Sequence, residues 1–343
     1  MNKQHILYQE DVRNALSAVN LEPLRGKTVL VTGATGLIGV HLIDVLMQVP
    51  DMSVIACGRS KERAAERLGE YFGNERFAFL EHDVCQPFPD SIHADYIIPM
   101  ASNTHPLAYS QYPVETLLVN TLGCQHALEL ARCCHATLLY PSSVEIYGNA
   151  RGTDVFTEDY TGQLNLANAR ASYPESKRSS EALCLAFAAE YGVDVRIARL
   201  SRVFGPTMLM SDTKASSQFI KNALTHTDIV LKSKGDQFFS YTYVTDAVTA
   251  MLHVMLYGER GTAYNIANPQ CNIHLRDFAQ LCADVAGTTL SFDIPDSAER
   301  TGYSIATQAI LSSERLISIG WTPLYNMEEA LSRTINILSK SEV

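Results

Sequence analysis

The sequence predicts an α/β protein: a doubly wound parallel sheet covered by helices, with a smaller C-terminal domain. Two observations support this prediction. Over residues 1–200, short and nearly continuous apolar runs alternate with longer helical patterns, which is typical of parallel strands buried on both faces. After residue 200 the alternation breaks into loop-rich segments, and this change indicates a second unit.

The strands are predicted, in chain order, at KTVLVT, MSVIAC, FAFLEH, ADYIIPM, ATLLYPSS and VDVRIARL. Between them lie the helical patterns HLIDVLMQV, KERAAERLGEYF, LLVNTLGCQHALELARCC and YPESKRSSEALCLAFAAEYG. Further on, FIKNALTH is helical and YTYVTDAVTAMLHVMLYG indicates a strand end running into a helix. The tail contains two more helical patterns, separated by a Trp-Thr-Pro turn.

Composition excludes several classes of protein. Apolar residues make up 46% of the 343 residues and charged residues 19%, as in ordinary globular enzymes. The net charge of −10, without any basic block, argues against a nucleic-acid partner. No apolar run approaches the ~18 residues of a membrane span, and the N-terminus lacks the apolar core of a signal peptide. We therefore expect a cytoplasmic protein.

Metal and disulfide roles are not expected from the cysteines and histidines. The eight cysteines include no CxxC pair and mostly lie in apolar segments, and the ten histidines show no HExxH or HxH arrangement. Small buried apolar side chains are therefore the preferred interpretation of the cysteines, and a catalytic metal has no visible set of ligands.

The stretch GATGLIG follows the first predicted strand and precedes the first helix. At such a junction Gly33 allows a tight turn, Gly36 lets a pyrophosphate approach the backbone, and Gly39 packs the helix on the sheet. The helix N-terminus adds N–H donors and its dipole. The position of the glycines at the first strand–helix unit predicts a bound dinucleotide rather than a simple corner.

These patterns suggest how the chain is divided into domains. Residues 1–24 are predicted to form an N-terminal helical extension. It is an amphipathic helix that has Ile6, Val12, Leu16 and Val19 on one side. Residues 25–200 form the dinucleotide-binding domain, to which residues 238–268 return. Residues 201–237 and 269–343 form the smaller substrate domain. A ligand is expected in the crevice between the two domains.

The second strand ends in IACGRSKE, and this end bears on the choice of cofactor. An acidic residue about twenty residues past the glycines would bind the ribose hydroxyls of NAD, but Arg59 stands there and can pair with the extra phosphate of NADP. A solvated Arg59 lying over the adenine is the alternative, so NAD and NADP both stay open. Asp83 can accept a hydrogen bond from the adenine amino group or shape a turn.

The segment YPESK places Tyr173 and Lys177 four residues apart in a predicted helix, so both point to one face. A free phenol has a pKa near 10, and only about one in a thousand is ionised at pH 7. An ammonium group nearby favours the phenolate, and a shift of roughly two or three units would make Tyr173 a usable general base. Ser142 and Ser143, at the end of the fifth strand, can present a hydroxyl to the same substrate oxygen.

With these motifs the chain resembles the extended short-chain dehydrogenases/reductases, in the epimerase/dehydratase branch that modifies nucleotide sugars. The resemblance runs from about residue 25 to the C-terminus and rests on VTGATGLIG, HDV, SSVEIYG, YPESK, GPTM and YTYVTDAV. It implies a Rossmann-type sheet, a bound NAD(P) and a homodimer. It further implies Tyr173 as the catalytic base, Lys177 on the nicotinamide ribose and Ser143 on the reacting hydroxyl.

The remaining site residues are assigned by their places in these segments. The predicted cofactor contacts are Gly33, Thr35, Gly36, Leu37, Ile38, Gly39, Arg59, Asp83, Val84, Ala101, Ser102, Tyr173 and Lys177. The predicted substrate contacts are Thr104, His105, Ser142, Arg202, Lys214 and Gln218.

The residue at position 145, a glutamate, helps to decide which branch of the family this chain resembles. Dehydratases and UDP-glucuronate decarboxylases carry a glutamate two residues after the hydroxyl residue, whereas simple 4-epimerases usually lack it. On an extended segment, Ser143 and Glu145 would face the same side of the sheet edge, which suits Glu145 as a fourth catalytic residue. A salt bridge at the strand end is the alternative.

Three positions depart from the family pattern. Relatives usually have asparagine at the position of Arg202, and arginine at the positions of Thr207 and Phe239. Those arginines normally hold the diphosphate of the substrate or, in decarboxylases, help with the carboxylate. A phosphate accepts any well-placed cation, and the candidates in this chain are Arg202, Lys214, Lys232 and Lys234.

The leading hypothesis is a nucleotide-sugar enzyme that oxidises a sugar hydroxyl, at C4, with bound NAD(P), and then dehydrates or decarboxylates the ketosugar. A nucleotide-sugar 4-epimerase and an NADP-dependent ketosugar reductase are the alternatives among enzymes. A dinucleotide-sensing regulator on the same fold is the non-enzyme alternative, and the set Ser143, Tyr173 and Lys177 argues against it because a sensor needs no base.

Overall fold

The computed structural model describes residues 1–104, 106–150, 152, 154–294 and 307–339. In chain order the strands are β1 (Thr28–Thr32), β2 (Ser53–Gly58), β3 (Phe77–Glu81), β4 (Tyr96–Pro99), β5 (Thr137–Ser143), β6 (Val155–Phe156), β7 (Asp194–Leu200), β8 (Arg202–Phe204), β9 (Ile229–Leu231), β10 (Phe238–Tyr243), β11 (Ala263–Ile266), β12 (Asn272–His274), β13 (Leu290–Phe292) and β14 (Gln308–Leu311). The helices are α1 (Ile6–Ala18), α2 (Leu37–Leu46), α3 (Lys61–Leu68), α4 (Pro106–Gln111), α5 (Pro113–Cys134), α6 (Ser172–Tyr191), α7 (Ala215–Leu224), α8 (Val244–Tyr257), α9 (Leu275–Ala286), α10 (Glu314–Ser318) and α11 (Met327–Leu338).

A seven-stranded parallel sheet forms the larger layer, in the order β11-β7-β5-β4-β1-β2-β3. The sheet confirms the predicted fold class, and all six predicted strands belong to it. The chain runs outward from β1 to β3 and then crosses to β4 on the other side of β1. This reversal opens a crevice at the carboxyl ends of β1 and β4, where ligands bind in doubly wound proteins.

A smaller mixed sheet follows in the C-terminal half, in the order β12-β10-β14-β6, with β8 pairing β10. Its own apolar core also takes in Val144, Ile146 and Tyr147, which directly follow β5. The ends of the large sheet are therefore held by the small one. β10 lies in the small sheet whereas β11 joins the large one, so residues 238–268 contribute to both layers; the division into domains stays a prediction.

Helix α6 fixes the position of the predicted catalytic pair. It begins at Ser172, so Tyr173 and Lys177 fall in its first two turns, and it packs along α5 and β5. Gly192 ends the helix at φ +72°, a left-handed conformation that glycine adopts without strain. The helix start and stop thus place both side chains against the end of β5.

Helix α1 is present as predicted, and the residues expected to face inward do so at Val12, Leu16 and Val19 but not at Ile6. Ile6 is 68% exposed, whereas Tyr8, Val12 and Ala15 are buried. The inward face is partly polar: Asp11 is fully buried and accepts hydrogen bonds from the Tyr243 hydroxyl at 2.6 Å and from Arg333 Nε at 2.8 Å. Because the buried carboxylate of Asp11 forms part of this face, the spacing of apolar residues alone does not reveal it.

We expect Arg333→Met to destabilise the protein by about 3–5 kcal/mol, because it leaves the buried Asp11 carboxylate without its cation. Arg25→Met is the matched control, since the ion pairs of Arg25 with Glu22 and Asp51 are exposed and exposed pairs contribute little to stability. Urea unfolding measures both changes. Equal small losses in the two variants would show that the Asp11 cluster does not hold α1 in place.

Candidate active site

The glycine turn after β1 is built for close approach of the backbone. Gly33 has φ +63°, and a Cβ there would lie 2.8 Å from the backbone of Met100, at the end of β4. A Cβ at Gly39 would lie 2.6 Å from the Gly33 carbonyl oxygen. At Gly36 the Gly33 oxygen, at 3.2 Å, is the only neighbour within 4 Å among the described residues, so that side of the turn is open.

The open side of the turn coincides with the start of α2. Gly36 is the N-cap residue, and no side chain caps the helix within the described chain. The first-turn amides of Leu37 and Ile38 and the helix dipole therefore face the open side, which is the arrangement that binds phosphate groups. Thr35 lies half-buried beside it. The turn fits the pyrophosphate of a dinucleotide.

Arg59 and Asp83 already have partners in the structure. Arg59 Nη1 lies 3.0 Å from a carboxylate oxygen of Glu115, and both side chains are exposed. Asp83 Oδ1 accepts a hydrogen bond from the Cys85 amide at 3.0 Å. Asp83 therefore shapes a turn, which was the alternative to binding the adenine amino group. The Glu115 carboxylate beside Arg59 weakens the attraction of this site for a second phosphate, so the presence of Arg59 does not by itself select NADP.

The other predicted cofactor residues line the crevice between β1 and β4. The Ala101 amide donates to Thr32 Oγ1 at 3.0 Å, and Ser102 Oγ donates to the Asn103 carbonyl at 3.1 Å. Val84 is buried, and together with Ala101 and Lys177 it borders a small cavity below the sheet end. Val84, Ala101 and Lys177 thus lie together at this end of the crevice.

Tyr173 lies at the centre of a cluster of hydroxyl groups. The residue is 7% exposed, and its hydroxyl interacts with the hydroxyls of Ser143 and Tyr109, which act to lower the pKa of Tyr173. The rings of Tyr109 and Tyr173 stack, with centroids 4.5 Å apart and planes 13° apart. The structure thus brings the predicted Ser143 and Tyr173 together and adds Tyr109, which the sequence had not indicated.

Burial opposes the charged forms of both Tyr173 and Lys177. Desolvation raises the pKa of Tyr173 to about 12, although the hydrogen bonds with Ser143 and Tyr109 act in the opposite direction. Desolvation also lowers the pKa of Lys177 to about 8. Lys177 Nζ donates to the Pro141 carbonyl at 2.8 Å. In this state the ammonium therefore does not favour the phenolate as the spacing had suggested.

Glu145 does not lie on an extended segment, and the expectation was wrong on this point. A 3₁₀ turn starts at Val144, and Ser143 caps it by accepting the Glu145 amide at 3.3 Å. The serine hydroxyl ends the strand because it offers the backbone a local partner. The negative charge of Glu145 nevertheless raises the pKa of both Tyr173 and Tyr109, so the carboxylate acts on the cluster. No ion pair of Glu145 occurs within the described residues.

The predicted substrate residues have different surroundings. Ser142 is 3% exposed, and its Oγ has no hydrogen-bond partner among the described residues. Lys214 pairs with Asp212 at 3.2 Å, and Gln218 Nε2 donates to the Asp212 carbonyl at 3.1 Å. Thr104 is exposed at the end of the β4 loop, whereas His105 lies outside the described residues.

The cysteines lie mostly in the core. Five of the eight are buried, and the Sγ atoms of Cys124 and Cys184 lie 3.7 Å apart as free thiols between α5 and α6. Within the described part of the chain, no three His, Cys, Asp or Glu side chains are grouped so that they could hold a metal ion.

Comparisons with known proteins agree with this geometry. Residues 29–267 match the NAD dependent epimerase/dehydratase family. The chain is 32% identical to UDP-glucuronic acid decarboxylase 1 of Xenopus tropicalis, over 92% of this chain and 72% of the relative. It is 34% identical to UDP-glucuronic acid decarboxylase 6 of Arabidopsis thaliana, over 70% of this chain and 69% of the relative. The crystal structure of dTDP-glucose 4,6-dehydratase from Bacillus anthracis in complex with NAD superposes with a TM-score of 0.78 at 20% identity, over 92% of this chain and 97% of that one, which shows the shared fold.

We expect Glu115→Gln to raise the affinity for NADP relative to NAD by about two- to fivefold, the range of an exposed charge pair, because it frees Arg59 for the 2′-phosphate. Arg59→Ala in the same background should abolish the gain. Glu129→Gln, on the same helix and bonded to Gln125, is the control. Titration with both dinucleotides measures the ratio, and an unchanged ratio in the Arg59 and Glu115 variants would show that Arg59 does not read this phosphate.

Proposed function

The chain belongs to the NAD dependent epimerase/dehydratase family, and on that premise we propose that it acts on a nucleotide sugar, by decarboxylation or dehydration after transient oxidation at C4. It is an enzyme of this family with an NAD(P) cofactor and a Rossmann-type fold. Of the two reactions, decarboxylation of a nucleotide-linked hexuronic acid is the one that we favour, because the relatives at 32% and 34% identity are UDP-glucuronic acid decarboxylases.

The single observation that carries the proposal is the cluster formed by Tyr173, Ser143 and Glu145. A hydrogen-bonded phenol and hydroxyl are what oxidation of an alcohol requires, since one group takes the proton and the other orients the oxygen. A 4-epimerase needs nothing more. The carboxylate of Glu145, which bears electrostatically on Tyr173, supplies the additional acid–base group that chemistry at C5 requires.

Bound NAD supplies the acceptor and later the donor of the hydride at C4. Tyr173 takes the proton of the C4 hydroxyl while Ser143 holds the oxygen. A carboxylate on C5 is then β to a ketone: the C5–C6 bond breaks, its electron pair moves toward the C4 oxygen, and carbon dioxide leaves. The hydroxyls of Tyr173 and Ser143 stabilise the developing negative charge on that oxygen. Protonated Glu145 then delivers to C5 the proton that replaces the lost carboxylate, and Tyr173 returns its proton to the C4 oxygen as the hydride goes back to C4.

Lys177 has a separate task in this proposal. Its amine is bonded to the Pro141 carbonyl, and a ribose hydroxyl at this place would give it a new partner. An ammonium drawn toward Tyr173 lowers the pKa of the phenol by favouring the phenolate. The base is therefore assembled when the cofactor is in place, and binding and acid–base chemistry depend on the same amine.

A homodimer and a cytoplasmic location form part of the same proposal. Helices α5 and α6 pack together and expose the apolar side chains of Val114, Leu118 and Leu185, so a second copy is the partner that we propose for this face. No helix in the described ranges is both long and apolar enough to cross a membrane.

We expect Glu145→Gln to retain the first oxidation and to lose product formation by about two or more orders of magnitude, since general acid–base groups contribute about 10²–10⁴-fold. The reduced nicotinamide should accumulate and be visible by its near-ultraviolet absorbance. Glu190→Gln, an exposed change on α6, is the control.

Ser143→Ala and Ser142→Ala form a matched pair of neighbouring hydroxyls in the same test. Ser143→Ala should slow the oxidation itself, whereas Ser142→Ala, whose Oγ has no partner among the described residues, should change it much less. Normal turnover in Glu145→Gln would contradict the decarboxylase or dehydratase proposal and favour a 4-epimerase. Normal turnover in Ser143→Ala would contradict the placement of the reacting hydroxyl.

A further inference from the structure

The guanidinium of Arg202 lies over an aromatic ring and has no counter-ion among the described residues. Its Cζ lies 3.6 Å from the centroid of the Phe239 ring. Its Nη1 is buried and has no hydrogen-bond partner, and no carboxylate of the described residues pairs with it. A buried donor without a partner is rare and calls for an explanation, and for a guanidinium the simplest partner is an anion from outside the chain.

The strands place Arg202 at the carboxyl edge of the large sheet, on the side of the candidate active site. In the parallel register Leu200, the last residue of β7, lies opposite Ser143. Arg202 follows two residues later and begins β8, so it stands about 7 Å of chain beyond that strand end. Ser201 Oγ bonds Thr242 Oγ1 at 2.7 Å and fastens this corner to β10.

The ring beneath Arg202 is a rigid platform. Phe239 is 5% exposed and lies in β10, between β12 and β14, opposite Ile273 and Ala309. Tyr241 pairs with Arg202 across β8 and β10, so Phe239, two residues earlier, points to the same face as Tyr241. Stacking occupies one face of the guanidinium and leaves its in-plane N–H groups for a bidentate anion.

Neighbouring polar groups are engaged elsewhere. Lys214 pairs with Asp212, and Lys221 Nζ donates to the Asp212 carbonyl at 2.8 Å. Thr207 Oγ1 donates to the Leu37 carbonyl at 2.6 Å, and Arg67 Nη2 donates to the carbonyl of Thr207. Unlike these groups, Arg202 is a cation without a counter-ion among the described residues. It also has a fixed orientation and lies at the strand ends.

We propose that Arg202, stacked on Phe239, binds the diphosphate of a nucleoside diphosphate group and so sets the position of the attached sugar relative to Tyr173. This deepens the proposed function and rests on it for the sugar. Arg202 lies on β8 and Phe239 on the paired strand β10, so one strand carries the charge and its neighbour carries the ring that supports it.

The proposal is tested by titrating the NAD-loaded protein with UDP, dTDP and uridine, with binding measured by calorimetry. Arg202→Gln should weaken UDP binding by about ten- to hundredfold, as expected for a lost hydrogen bond to a charged group, and should leave uridine binding and NAD binding unchanged. Phe239→Leu should weaken UDP binding by a smaller factor, because the charge stays while its platform is lost. Arg132→Gln is the matched control, since Arg132 also lies over a ring, that of Tyr191, but at the surface.

Two further variants keep the result decisive if Arg202→Gln folds poorly. Arg202→Lys keeps the charge without the planar fork and should give intermediate affinity. The exchange Arg202→Asn with Phe239→Arg should recover part of the affinity that Arg202→Asn alone loses. Wild-type affinity for UDP in Arg202→Gln, an equal loss of uridine binding, or failure of the wild-type protein to bind either diphosphate would overturn the proposal.

The outcomes also separate this proposal from the proposed reaction. If UDP binding depends on Arg202 while no nucleotide-linked hexuronic acid is turned over, the diphosphate site is supported and the proposed decarboxylation is contradicted. If such a sugar is turned over at the wild-type rate by Arg202→Gln, the reaction stands and the diphosphate site falls.

Discussion

Burial of a phenol and an amine on one face of α6 is the constraint on which the rest of the site depends. Tyr173 and Lys177 are 7% and 4% exposed, and desolvation moves the pKa of the first to about 12 and that of the second to about 8. Each group is therefore displaced toward its neutral form. A phenol with so high a pKa is scarcely ionised at neutral pH, so a further interaction must favour the phenolate before Tyr173 can act as a base.

The two layers of the protein meet at this pair. The turn after β5 packs into the core of the small sheet, and Thr207 from the small layer bonds the first residue of α2. Parts of the molecule that would hold a cofactor are thus fastened to parts that would hold a substrate. The Arg202–Phe239 stack connects the two layers in the same way. The paired strands β8 and β10 carry the charge, and the register of β7 against β5 sets its distance from Ser143.

Much of the fold could be predicted because its causes are local. Buried parallel strands need continuous apolar runs, and a phosphate turn needs glycine at Gly33, Gly36 and Gly39. Features set by tertiary contacts could not be predicted. Tyr109 on α4 stacks on Tyr173 on α6, and the spacing of the two residues in the sequence gives no signal of this contact. The hydrogen bond from Lys177 to Pro141 and the pairing of Arg59 with Glu115 likewise depend on elements distant in sequence.

The ionisation of Tyr173 shows whether cofactor binding brings Lys177 to the phenol. The phenol can be titrated by nuclear magnetic resonance of labelled tyrosine, with Tyr173→Phe identifying its signal, in cofactor-free and NAD-loaded protein. We expect a pKa of about 12 without cofactor and a value at least ~2 units lower with NAD bound, a decrease that Lys177→Met abolishes. An equally high pKa in both states would contradict the claim that cofactor binding assembles the base.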